Sequence, residues 1–286
     1  MYNSRVDILA HVSGDSWKEE PVSNETLREL RDFAADLAWQ AGKLTLHYFQ
    51  TDITPDLKAD ASPVTIADRA SERLIRELIE TRYPKHSILG EEEGETRPGA
   101  TYRWILDPID GTKTFVHGVP LYAVLVGLER DGEPIVGAIN VPALGELLVA
   151  AHGEGCLWNG RRARVSSVAS LSESLLLCTD VESMARHGRA GAYRRLAAVA
   201  KMQRSWGDAY GYVLVATGRA EVMLDPIVSI WDCAAILPVL QEAGGTATNW
   251  SGQAMIDGGE LIGTNSLVLK EVLALISEAE DDPYVG

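Results

Sequence analysis

The stretch Trp104-Ile-Leu-Asp-Pro-Ile-Asp-Gly-Thr-Lys-Thr-Phe-Val-His-Gly-Val-Pro120 reads WILDPIDGTKTFVHGVP. Its apolar run, Trp104 to Leu106, has the character of a buried strand, and it runs directly into Asp107. Asp110 follows after Pro108 and Ile109. Two carboxylates withdrawn from water without a cation hold a proton or destabilise the fold. A hard divalent cation removes that penalty. Mg²⁺ takes oxygen ligands and suits a few carboxylates completed by water and phosphate. Two such ions about 4 Å apart can hold both the attacking and the leaving oxygen of a phosphoryl transfer. Asp-Pro-Ile-Asp is short enough to place two carboxylates and a carbonyl at one centre. Gly111-Thr112 then offers backbone amides suited to a phosphate, and a hydroxyl that can orient a water. An ordinary turn would account for Gly111 but not for its place directly after two acids.

Working outward, Leu27, Leu30, Phe33, Ala34, Leu37, Ala38, Ala41 and Leu44 recur at helical spacing, with Ser23 or Asn24 as the cap. After a loop over 51–63, Thr65 and Asp68 form a capping-box pattern with Asp in place of Glu. The helix they open carries Ile66, Ala70, Leu74, Ile75, Leu78 and Ile79 as its expected buried stripe. From Ser87 the period shortens. Strands are expected over 88–89 and 102–106, then a meander over 122–129, 134–140 and 146–151, with Asp131-Gly132 as one hairpin turn. Beyond Gly160 strands and helices alternate. The expected division is an N-terminal extension over 1–22, an α+β lobe over 23–160 and an α/β lobe over 161–286.

The 286 residues suffice for one large domain or two packed lobes. A formal net charge of −15 disfavours nucleic-acid backbones and anionic membranes as partners. No run of eighteen apolar residues predicts a membrane span, and the first twenty residues do not read as a signal peptide. Cys156, Cys178 and Cys233 are few and scattered, which points to buried free thiols and, with the missing leader, to a cytoplasmic protein.

Further acids stand at element ends: Asp68, Glu91-Glu92-Glu93 and Asp232. Each has a plainer reading. Asp68 can be a helix cap, Glu91 to Glu93 a solvated loop, and Asp232 a first-turn acid favoured by the helix dipole.

Together, Gly90-Glu91-Glu92, Asp107-Pro-Ile-Asp-Gly-Thr112 and Trp231-Asp232 with Glu242-Ala-Gly-Gly245 resemble the inositol monophosphatase superfamily of Mg²⁺-dependent phosphatases, over roughly residues 25–280. The resemblance implies a layered α/β/α/β/α sandwich, often dimeric, with two or three Mg²⁺ per site and Mn²⁺ as an alternative. It implies that Glu91, Asp107 and the Ile109 carbonyl hold one metal, and that Asp107, Asp110 and Asp232 hold a second. Asp68 would lie near a third. Thr112, paired with Asp68, would activate the water, and the Gly111 and Thr112 amides would bind phosphate.

Within the superfamily the chain looks most like the histidinol-phosphate phosphatases, through Asp110-Gly-Thr-Lys113 with Gly118-Val-Pro120, and Arg204-Ser-Trp-Gly-Asp208-Ala-Tyr-Gly-Tyr212. This implies hydrolysis of L-histidinol phosphate in histidine biosynthesis. The alternative is an inositol monophosphatase or a broad sugar-phosphate phosphatase. Lys113, Asp208, Asp225 and Arg204 are the candidate substrate residues. The substrate's ammonium group gives a carboxylate such as Asp208 something to bind, which neutral inositol lacks. Asp208 could equally be a helix N-cap, and Arg204 a surface residue. Tyr210 and Tyr212 read as packing residues and His117 as a loop residue. A binding-only, regulatory role is the competing class, against which the intact acid set weighs.

Overall fold

A computed structural model describes residues 24–59, 62–254, 257 and 259–277; the expected extension over 1–22 and the cap at Ser23 lie outside them. In chain order come α1 (Asn24–Leu46), a short hairpin of β1 (Asp56–Leu57) and β2 (Pro63–Val64), α2 (Ile66–Arg82), β3 (Ser87–Gly90), β4 (Gly94–Thr96), β5 (Tyr102–Asp110) and α3 (Thr112–Val116). Next are β6 (Ala123–Arg130), β7 (Glu133–Val141), β8 (Glu146–Ala151), β9 (Gly155–Trp158) and β10 (Arg161–Arg162). The remainder is β11 (Leu175–Cys178), α4 (Val181–Arg186), α5 (Ala190–Val199), β12 (Met202–Arg204), α6 (Asp208–Ala216), β13 (Val222–Asp225), α7 (Ile230–Glu242), β14 (Thr246–Thr248), β15 (Leu261–Thr264) and α8 (Leu269–Ile276).

Among the described residues, eight strands form a larger sheet in the order β10-β9-β8-β7-β6-β5-β3-β4. Its neighbours are antiparallel except β3 and β5, which run parallel with Gly90 opposite Leu106. Five strands form a smaller sheet, β12-β11-β13-β15-β14, with β11 parallel to both its neighbours. Strand alternation sorts most of the buried apolar residues into three cores, beside a small fourth cluster of Ala67, Ile109, Phe115 and Tyr122. Val124, Val126 and Leu128 of β6 face α1 and α2. Ala123 and Leu125 face the opposite way, into a core shared with Tyr212 of α6, Ile236 and Leu240 of α7, and Leu177 and Met223 of the smaller sheet. Leu176, Cys178, Val222 and Leu224 face outward against Met184, Leu196 and Val272 of α4, α5 and α8. The result is the α/β/α/β/α layering that the family resemblance implied. All three cysteines are buried and free.

Three local expectations are corrected. The strand read as ending at Leu106 continues through Asp110, so Asp-Pro-Ile-Asp belongs to the sheet. The buried face of α2 is more polar than its apolar spacing suggested. It carries Asp68, Ser71, Glu72 and Arg76 beside Ile75 and Ile79, while Ile66 is exposed. The segment over 51–63 is not plain loop, since it holds β1 and pairs it with β2. The turn at Asp131-Gly132 is as expected, both residues having positive φ (51° and 88°).

Candidate active site

Residues three apart on a regular strand point to opposite faces. Asp107 and Asp110 escape this rule because β5 is irregular between them: Asp107 pairs with Leu125 and Asp110 with Ala123, with a register shift in between. The bulge takes up Pro108 and Ile109, where a missing N–H is tolerated. Both carboxylates therefore open into one cavity of about 550 Å³. Glu91 enters it from the end of β3, beside β5, and Asp232 from the start of α7. Single oxygens of Asp107, Asp110 and Asp232 lie within 4.8 Å of one another.

Each acid is held by local backbone. Asp107 Oδ1 accepts from Ile109 N at 3.0 Å, and Asp110 Oδ2 from Ala209 N of α6 at 2.7 Å. Asp232 Oδ2 accepts from Ser229 N at 2.6 Å and completes a capping box. Asp68 does the same for α2, accepting from Thr65 N at 2.8 Å and Thr65 Oγ1 at 2.6 Å. The plain capping reading and the site reading thus describe the same side chains. The Thr112 hydroxyl lies 3.1 Å from Ile109 O and 3.4 Å from Asp68 Oδ1, so the expected Thr112–Asp68 pairing is present.

Burial makes the charged forms of these acids costly. It raises Asp107 well above the ordinary carboxylate range, aided by the charges of Glu91, Asp110 and Asp232. Asp110 is raised in the same way, by burial and then by Asp208 and Asp232, against the Ala209 amide. Burial also lifts Asp68 to about 6, although its bonds to Thr65 oppose the shift. Asp232 reaches about 6 by burial, against its bond to the Ser229 amide. A cluster that holds protons this strongly, lined by hard oxygen donors, fits a divalent cation. Lys58, in the loop after β1, is the one basic side chain lining the cavity among the described residues. Its Nζ donates to Glu91 Oε1 at 2.7 Å and to Glu92 Oε1 at 2.6 Å. Burial would lower the Lys58 ammonium, but these two bonds outweigh it and raise it.

A smaller cavity of about 100 Å³ adjoins the first, sharing Asp110 and Asp232 and adding Thr179, Asp208, Tyr212 and Asp225. Asp208 is not the N-cap of α6, a place taken by Gly207. It is the first helical residue, at φ 50°, and its carboxylate accepts from Thr114 Oγ1 at 2.8 Å. Burial raises Asp208, while the Thr114 bond and the Lys113 charge oppose the rise. Gly111 lies directly beneath this carboxylate. At φ 77°, a Cβ added there would sit 2.7 Å from Asp208 Oδ2. Asp225 is buried, accepts from Tyr212 OH at 2.8 Å and is lifted to about 8 by burial.

Lys113 is exposed on α3, with its charge toward Asp208. Arg204 is apart from the site: it is exposed on β12, donates to Gln203 O at 2.7 Å and lines neither cavity. Sequence reasoning missed Lys58, Thr114 and Thr179, which have no motif spacing to announce them. It also left out Tyr212, whose ring packs in the core as expected while its hydroxyl serves Asp225.

The inositol monophosphatase family model matches residues 26–281. A histidinol-phosphatase of Chlorobaculum parvum is 44% identical over 251 residues, covering 87% of this chain and 97% of that protein. One of Mycobacterium tuberculosis is 39% identical, covering 85% and 96%. The crystal structure of the extragenic suppressor protein suhB from Bartonella henselae superposes with a TM-score of 0.82 at 28% identity, covering 88% of this chain and 99% of that one. The matched span contains every acid of the two cavities, and the chain belongs to the inositol monophosphatase family of phosphoric monoester hydrolases.

Proposed function

We propose that the protein hydrolyses L-histidinol phosphate to L-histidinol and phosphate. The observation that carries this reading is the Asp208 carboxylate, set in the smaller cavity next to the clustered acids. It meets the need of a substrate whose alcohol portion bears an ammonium group, and the similarity to two histidinol-phosphatases supports the same substrate. Asp225 lies in the same cavity and is assigned to the alcohol portion as well. Lys113 tunes Asp208 from outside. Arg204 lies outside both cavities and is given no role in this reading.

The family is metal-dependent, and the ligands assigned here are Glu91, Asp107 and the Ile109 carbonyl on one side, with Asp107, Asp110 and Asp232 on the other. Asp68 borders a third position. Mg²⁺ is the cation proposed. When bound, it supplies Lewis-acid polarisation of the phosphate and acidifies a water. The chain's own groups do the rest. The Thr112 hydroxyl has one proton and two acceptors within reach, Ile109 O and Asp68 Oδ1; turned to Asp68 it passes that proton on as its oxygen accepts one from the attacking water. Asp68, lifted to about 6, can take up the relayed proton near neutral pH. Gly111 and Thr112 line the larger cavity and offer amides to the phosphate.

The lobes over 23–160 and 161–286 would divide these roles. The first carries most ligands, and the second brings Asp232 and the substrate acids. Phosphate release from histidinol phosphate, inositol 1-phosphate and fructose 1,6-bisphosphate, compared by kcat/KM, tests the substrate. Histidinol phosphate should lead. A clear preference for either of the others would replace this reading with the inositol or sugar-phosphate alternative.

A further inference from the structure

Glu72 of α2 is fully buried, yet it touches neither cavity. Its carboxylate accepts the backbone N–H of Glu92 on Oε2 at 2.8 Å and that of Glu93 on Oε1 at 3.0 Å. Arg76, one helical turn on and also buried, donates Nε to Glu72 Oε1 at 2.8 Å and its other arm to Gly94 O. The pair therefore grips the turn after β3 by two amides and a carbonyl. The leading residue of that turn, Glu91, is fixed separately by its N–H to Leu106 O of β5 at 3.2 Å.

Gly90 shows how closely this grip is fitted. Its φ is ordinary for any residue, but a Cβ there would overlap the Glu72 carboxylate. A larger residue at this position would have to push the Glu72 carboxylate out of the space it fills. The same helix presents Asp68 to Thr112 from the preceding turn, four residues earlier. Residues i and i+4 share one helix face.

We infer that Glu72, backed by Arg76 and admitted by Gly90, is a positioning residue: it fixes Glu91 at a set distance from Asp68, with α2 as the rigid spacer. The inference rests on the proposed role of Glu91 as a metal ligand. Groups that orient a ligand from outside the metal's own shell typically cost 10- to 100-fold in affinity when lost, and Glu72 would act in this way through the amides of Glu92 and Glu93 that follow Glu91. Glu72→Gln keeps the shape but replaces one acceptor by a donor, so one of the two amides loses its partner.

The test is calorimetric titration of the full-length, metal-stripped protein with Mg²⁺ and with Mn²⁺. Wild type is compared with Glu72→Gln, Glu72→Asp, Gly90→Ala and Glu91→Gln. Glu72→Gln and Gly90→Ala should each weaken cation binding by about 10- to 100-fold. Their effects should be non-additive when combined, because both break one contact. In turnover assays the Mg²⁺ needed for half-maximal rate should rise by the same factor, with kcat at saturating Mg²⁺ changed far less. Unaltered cation affinity in folded Glu72→Gln, with Glu91→Gln weakened, overturns the positioning role and leaves the ligand assignment standing. Unaltered affinity in Glu91→Gln instead removes the ligand assignment itself. If Glu72→Gln does not fold, Glu72→Asp and Gly90→Ala decide the matter by the same readings.

Discussion

At the scale of single residues, Thr112 and Asp110 carry distinct expectations. Thr112→Val removes the hydroxyl between Ile109 O and Asp68 but keeps the shape, and should lower kcat by about 10²-fold or more. Thr112→Ser should recover most of it. A Val variant with wild-type kcat would take Thr112 and Asp68 out of the proton path. Asp110→Asn keeps an acceptor for the Ala209 amide, so the protein should fold normally while phosphate release falls to background. Unchanged release would refute its metal role. Asp110 was legible because it follows an apolar strand, where no acid is expected, and Thr112 because it closes the motif shared with the family. Lys58, Thr114 and Thr179 were not. Each becomes part of the site through contacts 29 to 94 residues away in the chain, which no local pattern encodes.

At the scale of elements, α7 connects the site to the larger sheet. Its N-terminus bears Asp232, and its second turn lies on Gly127 of β6 and Gly137 of β7. A Cβ at Gly127 would come within 2.7 Å of the Ala234 carbonyl carbon, so only glycine admits the helix at this distance. Gly127→Ala should cost about 1–3 kcal/mol of stability in urea unfolding. Through the shift of Asp232 it should also raise the Mg²⁺ requirement. Loss of stability without any change in Mg²⁺ requirement would mean that α7 tolerates displacement without moving its first turn. The helices and the central meander were readable from periodicity, since long apolar faces repeat every 3.6 or 2 residues. The bulge in β5 was not. It depends on pairing with β6, and the Pro108 that marks it in the sequence equally fits a turn. The polar face of α2 was hidden for a similar reason: Glu72 and Arg76 satisfy each other and the turn after β3, so burial there follows from partners and not from hydrophobicity.

For the whole molecule, the clustered acids set a pH dependence whose sign can be worked out. Asp68 and Asp232 rise from an ordinary 3.8 to about 6, and Asp225 to about 8. Without metal, the folded state then holds protons that the unfolded chain has released, so stability falls as pH rises through this window. In EDTA the Tm should decline from pH 5 to pH 8. Added Mg²⁺ should reverse the decline, contributing about 2.7 kcal/mol at a hundred times its Kd. A Tm in EDTA that climbs over the same range would contradict the assignment of these raised acids. The layering has a consequence for biosynthesis. Glu91, Asp107 and Asp110 all leave the ribosome more than a hundred residues before Asp232. Until α7 arrives, the inward face of the larger sheet lacks Ile236 and Leu240 from its cover, and the acids lack Asp232. With the proposed ligands, the nascent chain would pass through a long interval in which most of the acids are made and the cation site is still incomplete, so cation capture would follow the emergence of α7.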